Sequence, residues 1–104
     1  MNWEEASARL NRAAFEHLGQ SILVTVGGVS MELRGIPQGD YQRTTRNGLD
    51  HLEYDGAVHF LADEFAVSGA GENDLLAFGG VRHLILATES VGDGLIRCLL
   101  RRLV

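Results

Sequence analysis

The residues best suited to chemistry lie in "DHLEYD", residues 50 to 55. Alternate side chains of an extended strand share a face, so His51, Glu53 and Asp55 would stand together, and an imidazole with two carboxylates can bind a divalent cation. Any solvated strand face produces the same spacing, and the flanking sequence is too polar to hold ligands in fixed geometry. The expectation is a wet surface and no metal site. "SGAGEND", residues 68 to 74, has two glycines but no Gly-Lys-Ser/Thr and no clear helix after it to present amides to a phosphate, so it reads as a turn. Ser21, Ser30, Ser68 and Ser90 are nucleophiles by type only, since none sits in a nucleophile-elbow pattern. Cys98 has no second cysteine to pair with and reads as a small core residue. Glu4-Glu5 and Asp63-Glu64 are neighbours in sequence, whose side chains diverge on a helix or strand, so neither is an acid–base couple. There is no lysine, and its absence excludes Schiff-base chemistry, a lysine base and a Walker-type loop. The expectation is a protein that is not an enzyme, with no catalytic residue and no cofactor.

The elements that would position these residues follow from composition and pattern. The chain of 104 residues has the length of one domain, 1–104, which hides roughly 60 to 70% of its unfolded surface and leaves little room for a large substrate pocket. The net charge of −5 argues against general affinity for nucleic acid, which needs a basic stripe. No apolar run approaches the roughly 20 residues that span a bilayer, and "MNWEEASARL" lacks the basic and apolar regions of a secretory signal. The expected location is therefore the cytoplasm, with no membrane partner.

Two stretches, "VTVGGVSMELRG" and "LLAFGGVRHLILA", set Gly-Gly between alternating runs. Glycine adopts the positive φ that tight hairpin turns need, so each stretch reads as a β-hairpin, the first over residues 20–35. Residues 3–18 read as a helix, with Asn2 and Glu5 as a capping box and Gly19 as its stop. Trp3, Ala6, Leu10, Ala13, Ala14, His17 and Leu18 form its expected core stripe. Phe15 falls outside that stripe, either widening the core face or making a contact reserved for another subunit. Residues 36–56 are polar, carry the sole proline and centre on Asn47-Gly48, which marks a flexible polar loop or a ribbon wet on both faces. Ala57 to Ala62 is a further strand, followed by a short turn at Asp63-Glu64. The last element, "LIRCLLRRL", fits strand or helix, and the strand is favoured because the hairpins need a closing partner. The fold expected is mainly β with an N-terminal α-helix: a small β-sandwich or partly closed antiparallel barrel of six to seven strands with a long polar loop.

The order of pieces, "HLGQSILVTVGGVSMELRGI", a long polar loop, "HFLADEFAV", then "ENDLLAFGGVRHLILATESVGDGLIRCLLRR", resembles the small head-tail joining proteins of lambda-like tailed phages and prophages. Arg34-Gly35 as a turn, Asp63-Glu64 as an acidic turn, Asp74 with Gly79-Gly80, and Asp93-Gly94 match that frame over residues 17 to 102. The resemblance implies a structural virion protein made in the bacterial host cytoplasm. Its subunits stay monomeric until they meet the connector, then form a ring, sixfold in that family, between a portal-side protein and a tail-terminator or tail-tube protein. The long loop orders on assembly, and Tyr41, Arg43, Arg46 and Tyr54 become interface candidates, with Phe15 beside them. The competing reading is a cellular small β-barrel module that binds a protein partner by an exposed edge.

Overall fold

A computed structural model of the chain describes residues 3–38, 42–46 and 50–103. Helix α1 (Trp3–Leu18) leads into β1 (Gln20–Val26) and β2 (Val29–Gln38), and the ribbon strands β3 (Gln42–Arg46) and β4 (Asp50–Tyr54) follow. The chain continues through β5 (Gly56–Leu61), α2 (Ala62–Ser68), β6 (Leu75–Phe78), β7 (Val81–Gly92) and β8 (Leu95–Arg102). Six strands close into an antiparallel barrel in the order β1-β2-β5-β8-β7-β6, while β3 and β4 form a separate two-stranded sheet. The sequence suggested a sandwich or a partly closed barrel; closure is complete because β6 returns to β1, with Leu23 opposite Ala77 and Thr25 opposite Leu75. That pairing removes both free edges of the main sheet.

Both Gly-Gly loops are tight turns with positive φ at each residue: 56° and 82° at Gly27 and Gly28, 59° and 75° at Gly79 and Gly80. This geometry follows the right-handed twist of the flanking strands, and only glycine adopts it twice in succession at low cost. From the first turn, alternation sends Ile22 and Val24 into the barrel, fully buried, and leaves Ser21, Leu23, Glu32 and Arg34 exposed. The interior is completed by Val58, Phe60, Leu76, Ile85, Cys98 and Leu100. The last element is a strand, as favoured, because Ile96, Cys98 and Leu100 alternate inward opposite β5 and β7.

Two expected turns are something else. Asp63-Glu64 opens the helix α2, whose Phe65 enters the barrel core and sits 5.1 Å from Phe60 between ring centroids. Gly69 ends α2 in the left-handed region at φ 72°, and its N–H donates to the Ala66 carbonyl. Arg34-Gly35 is no turn, since β2 runs on to Gln38. Gly35 is buried, and a Cβ there would lie 2.6 Å from Ile22 Cδ1, 2.8 Å from Val58 Cγ1 and 2.9 Å from Phe60 Cε1. Its missing side chain is the space those three occupy. Beyond Gly35 β2 has no partner on the β1 side, the kind of position where Pro37 can sit without breaking a ladder.

Helix α1 lies against β2 and is turned differently from its expected stripe. Phe15 is 4% exposed and anchors it, while Leu10 and Leu18 are each 70% exposed and Ala13 and His17 also face solvent. The closed barrel fills its own core, so the helix adds one aromatic ring along one edge and leaves most of its apolar stripe uncovered. Arg34 fixes the helix end: its Nε donates to the Phe15 carbonyl at 2.9 Å and Nη2 to that of Glu16 at 3.4 Å. The last carbonyls of a helix lack the full set of intrahelical partners, and Arg34 adds to the bond of 3.0 Å that the Gly19 N–H already donates to the Phe15 carbonyl. Asn11 reaches the Asp93 carbonyl in the β7–β8 turn, and Arg12 lies 3.9 Å from the Asp63 carboxylate.

Candidate functional site

The feature that the barrel does not need is the ribbon of β3 and β4. Its register pairs Gln42 with Tyr54, Arg43 with Glu53, Thr44 with Leu52, Thr45 with His51 and Arg46 with Asp50, while the expected turn at Asn47-Gly48 lies outside the described residues. The ribbon is rooted by Tyr54, whose side chain is 5% exposed in a second apolar cluster with Ala57, Ala87 and Leu99. This cluster lies on the outer wall of the barrel. Leu99 points away from the interior between the inward Cys98 and Leu100. Ala87 joins it because the β7–β8 register shifts between Ile85 and Ala87, making Leu86 an extra residue that flips the following alternation outward.

Asp55 locks the root to β8. Its backbone N–H donates to the Leu100 carbonyl at 2.8 Å, and its Oδ2 accepts the Arg102 N–H at 2.9 Å. The carboxylate grouped with His51 and Glu53 on sequence spacing is thus taken up in holding the end of β8. The side chains of His51 and Glu53 lie outside the described residues, and among the described residues no group of three His, Cys, Asp or Glu could hold a metal ion.

The interface candidates separate into three groups. Phe15 and Tyr54 are buried within the chain, so neither ring is offered to a partner: Phe15 belongs to the core-widening alternative and Tyr54 to the ribbon's root. Arg43 and Arg46 stand on β3, with side chains outside the described residues. Tyr41, and the expected mobility of the segment around it, also lie outside the described residues. The apolar residues expected in the core, Leu10 and Leu18 on α1, are on the outside, and Val67 on α2 is also exposed, at 82%. No helix-periodicity argument finds this, because a stripe marks a face without saying what covers it.

Several polar groups of the barrel are paired or buried. On the outer wall Arg97 Nε donates to Glu89 at 2.7 Å, with His59 beside Arg97 in the register. Burial, then the Arg97 charge, holds the His59 pKa below its ordinary value. His83 is 9% exposed, stacks on Phe78 at 4.6 Å, and its Nδ1 finds no hydrogen-bond partner among the described residues. Burial and then Arg102 lower its pKa too. The Cys98 thiol is pushed up to about 12 by burial, so it stays protonated and unreactive near neutrality. Ser68 donates to the Phe65 carbonyl at 2.6 Å and is buried, which takes it out of reach of a substrate. In "SGAGEND" the Asp74 carboxylate accepts the Gly71 N–H at 2.8 Å, and the turn is tied to β7, where the Asn73 N–H donates to the Ile85 carbonyl at 2.8 Å and the Ile85 N–H to the Asp74 carbonyl at 2.9 Å.

No protein-family model matches the chain, and a search of curated proteins finds no match.

Proposed function

We propose that this protein is an assembly part rather than a catalyst: a head-tail joining protein of a tailed phage or prophage, forming a ring in the connector between the portal-bearing head and the tail. The observation that carries this reading is the division of labour in the fold. A closed barrel packs its own core, and a polar two-stranded ribbon, rooted at one point by Tyr54 and Asp55, extends from it as a sheet of its own. A two-stranded ribbon with no apolar face has little reason to persist for the sake of the fold. Its use lies in what pairs with it. The uncovered leucines of α1 supply a second surface for a neighbour.

The resemblance in chain order to lambda-like head-tail joining proteins supports the same conclusion and names the setting: monomers in the host cytoplasm, a ring in the virion. The net charge of −5 suits a ring through which DNA passes without adhering. The test is electron microscopy of the purified chain mixed with portal-bearing heads and with tails. The reading requires rings seated at the connector in the mixture. If the chain stays free of both and binds an extended cellular peptide by its ribbon instead, the small binding module is the correct reading.

A further inference from the structure

We propose that the ribbons of neighbouring copies join side by side into one continuous antiparallel sheet, with the outer edge of β3 in one copy paired to the outer edge of β4 in the next. The proposal deepens the ring reading and rests on it. Among the described residues, β3 and β4 pair only with each other, so each strand has one edge with a row of backbone N–H and C=O groups and no strand beside it. Such an edge is a template for another strand. The occupant follows from charge. β3 carries Arg43 and Arg46 and no acid, whereas β4 carries Asp50 and Glu53 and no arginine.

A two-fold contact would set β3 against β3 or β4 against β4, placing like charges on facing strands. A head-to-tail contact sets the basic strand against the acidic one, repeating between copies the Arg43–Glu53 and Arg46–Asp50 register that already exists within each ribbon. Copies related by rotation present upright ribbons in the same sense, so the ascending strand of one meets the descending strand of the next. The pairing is therefore antiparallel without rearrangement. A contact between two different surfaces of the same chain propagates, closing into a ring where the rotation allows. The Tyr54–Asp55 root ties the ribbon to the same place on the barrel in every copy.

The test uses full-length single-cysteine variants: Thr44→Cys or Thr45→Cys on β3, and His51→Cys or Leu52→Cys on β4, which sample both strand faces. Cys98 stays in place because it is buried and its thiol pKa is about 12. Variants are mixed pairwise, assembled on portal-bearing heads and oxidised mildly. Mixed disulfides between a β3 variant and a β4 variant, without disulfides in either variant alone, are expected. Disulfides within a single variant mean two-fold pairing and overturn the proposal. Rings without any ribbon disulfide overturn it while leaving the ring reading intact; disulfides without rings on heads overturn the ring reading instead. A second variant reverses all four charges (Arg43→Glu, Arg46→Asp, Asp50→Arg, Glu53→Arg), preserving complementarity within each chain. It assembles with itself but cross-links to the original chain about tenfold less. Equal mixing would show that charge does not set the contact.

Discussion

Replacing residues 39 to 53 with a short glycine-serine linker, while keeping Tyr54 and Asp55, removes the ribbon and spares its root. Roughly 18 residues separate the paired Gln38 and Ala57, and halving such a loop is worth only about 0.6 kcal/mol of closure entropy. The pairs lost, β3 with β4, contact no barrel residue by register. The variant should therefore melt cooperatively within about 1 kcal/mol of the intact chain, a shift of no more than roughly 4–8 °C. Adding Tyr54→Ala to the linker variant empties the outer cluster against Ala57, Ala87 and Leu99. Truncating a buried aromatic costs about 3–5 kcal/mol in a closed core, and an outer-wall site that water can refill should sit near the lower end. That is a further drop of roughly 12 °C or more. Calorimetry on both variants checks the pair. A linker variant that no longer unfolds in one transition, or a Tyr54→Ala change that leaves the melting temperature unmoved, would refute the separation of ribbon from barrel.

Other perturbations have equally definite outcomes. Gly35→Ala should destabilise by about 1–3 kcal/mol, read by denaturant titration, because its Cβ enters space held by Ile22, Val58 and Phe60. Phe15→Ala should cost about 3 kcal/mol, and amide exchange in α1 should rise far more than in the barrel, since this ring is the helix's buried anchor. His59 and His83 have folded pKa values below the ordinary 6.5, so the unfolded chain binds protons first. Stability should be full above about pH 6.5 and fall as pH drops below it, and His83→Phe, which keeps the stack on Phe78, should flatten that decline in melts taken from pH 8 to 5. The Cys98 thiol should react with a thiol reagent only as fast as the barrel opens, giving one slow phase that denaturant accelerates.

The parts of the fold fixed by local rules were readable in the sequence. Both Gly-Gly hairpins, the pairing of β3 with β4 and the final strand follow from turn chemistry and alternation. Features set by distant neighbours were not. Gly35 resembles a turn residue until Ile22, Val58 and Phe60 are seen to converge on it. "ADEFAVS" is too short to announce a helix by periodicity, and its formation depends on Phe65 finding the barrel end beside Phe60. The α1 stripe predicted an amphipathic helix correctly and its buried face wrongly, since a barrel that closes on itself needs only Phe15 from it. Tyr54 resembles an interface residue by type. Its role as a root depends on the extra residue Leu86, which brings Ala87 round to meet it, and no single-sequence signal marks that bulge.

Co-sedimentation of the intact chain and of the linker variant with portal-bearing heads asks whether the barrel is complete alone and the ribbon is the assembling arm. The intact chain should pellet with the heads in a fixed ratio, while the linker variant, equally folded by circular dichroism, should stay in the supernatant. A linker variant that pellets in the same ratio would contradict the ribbon's role as that arm.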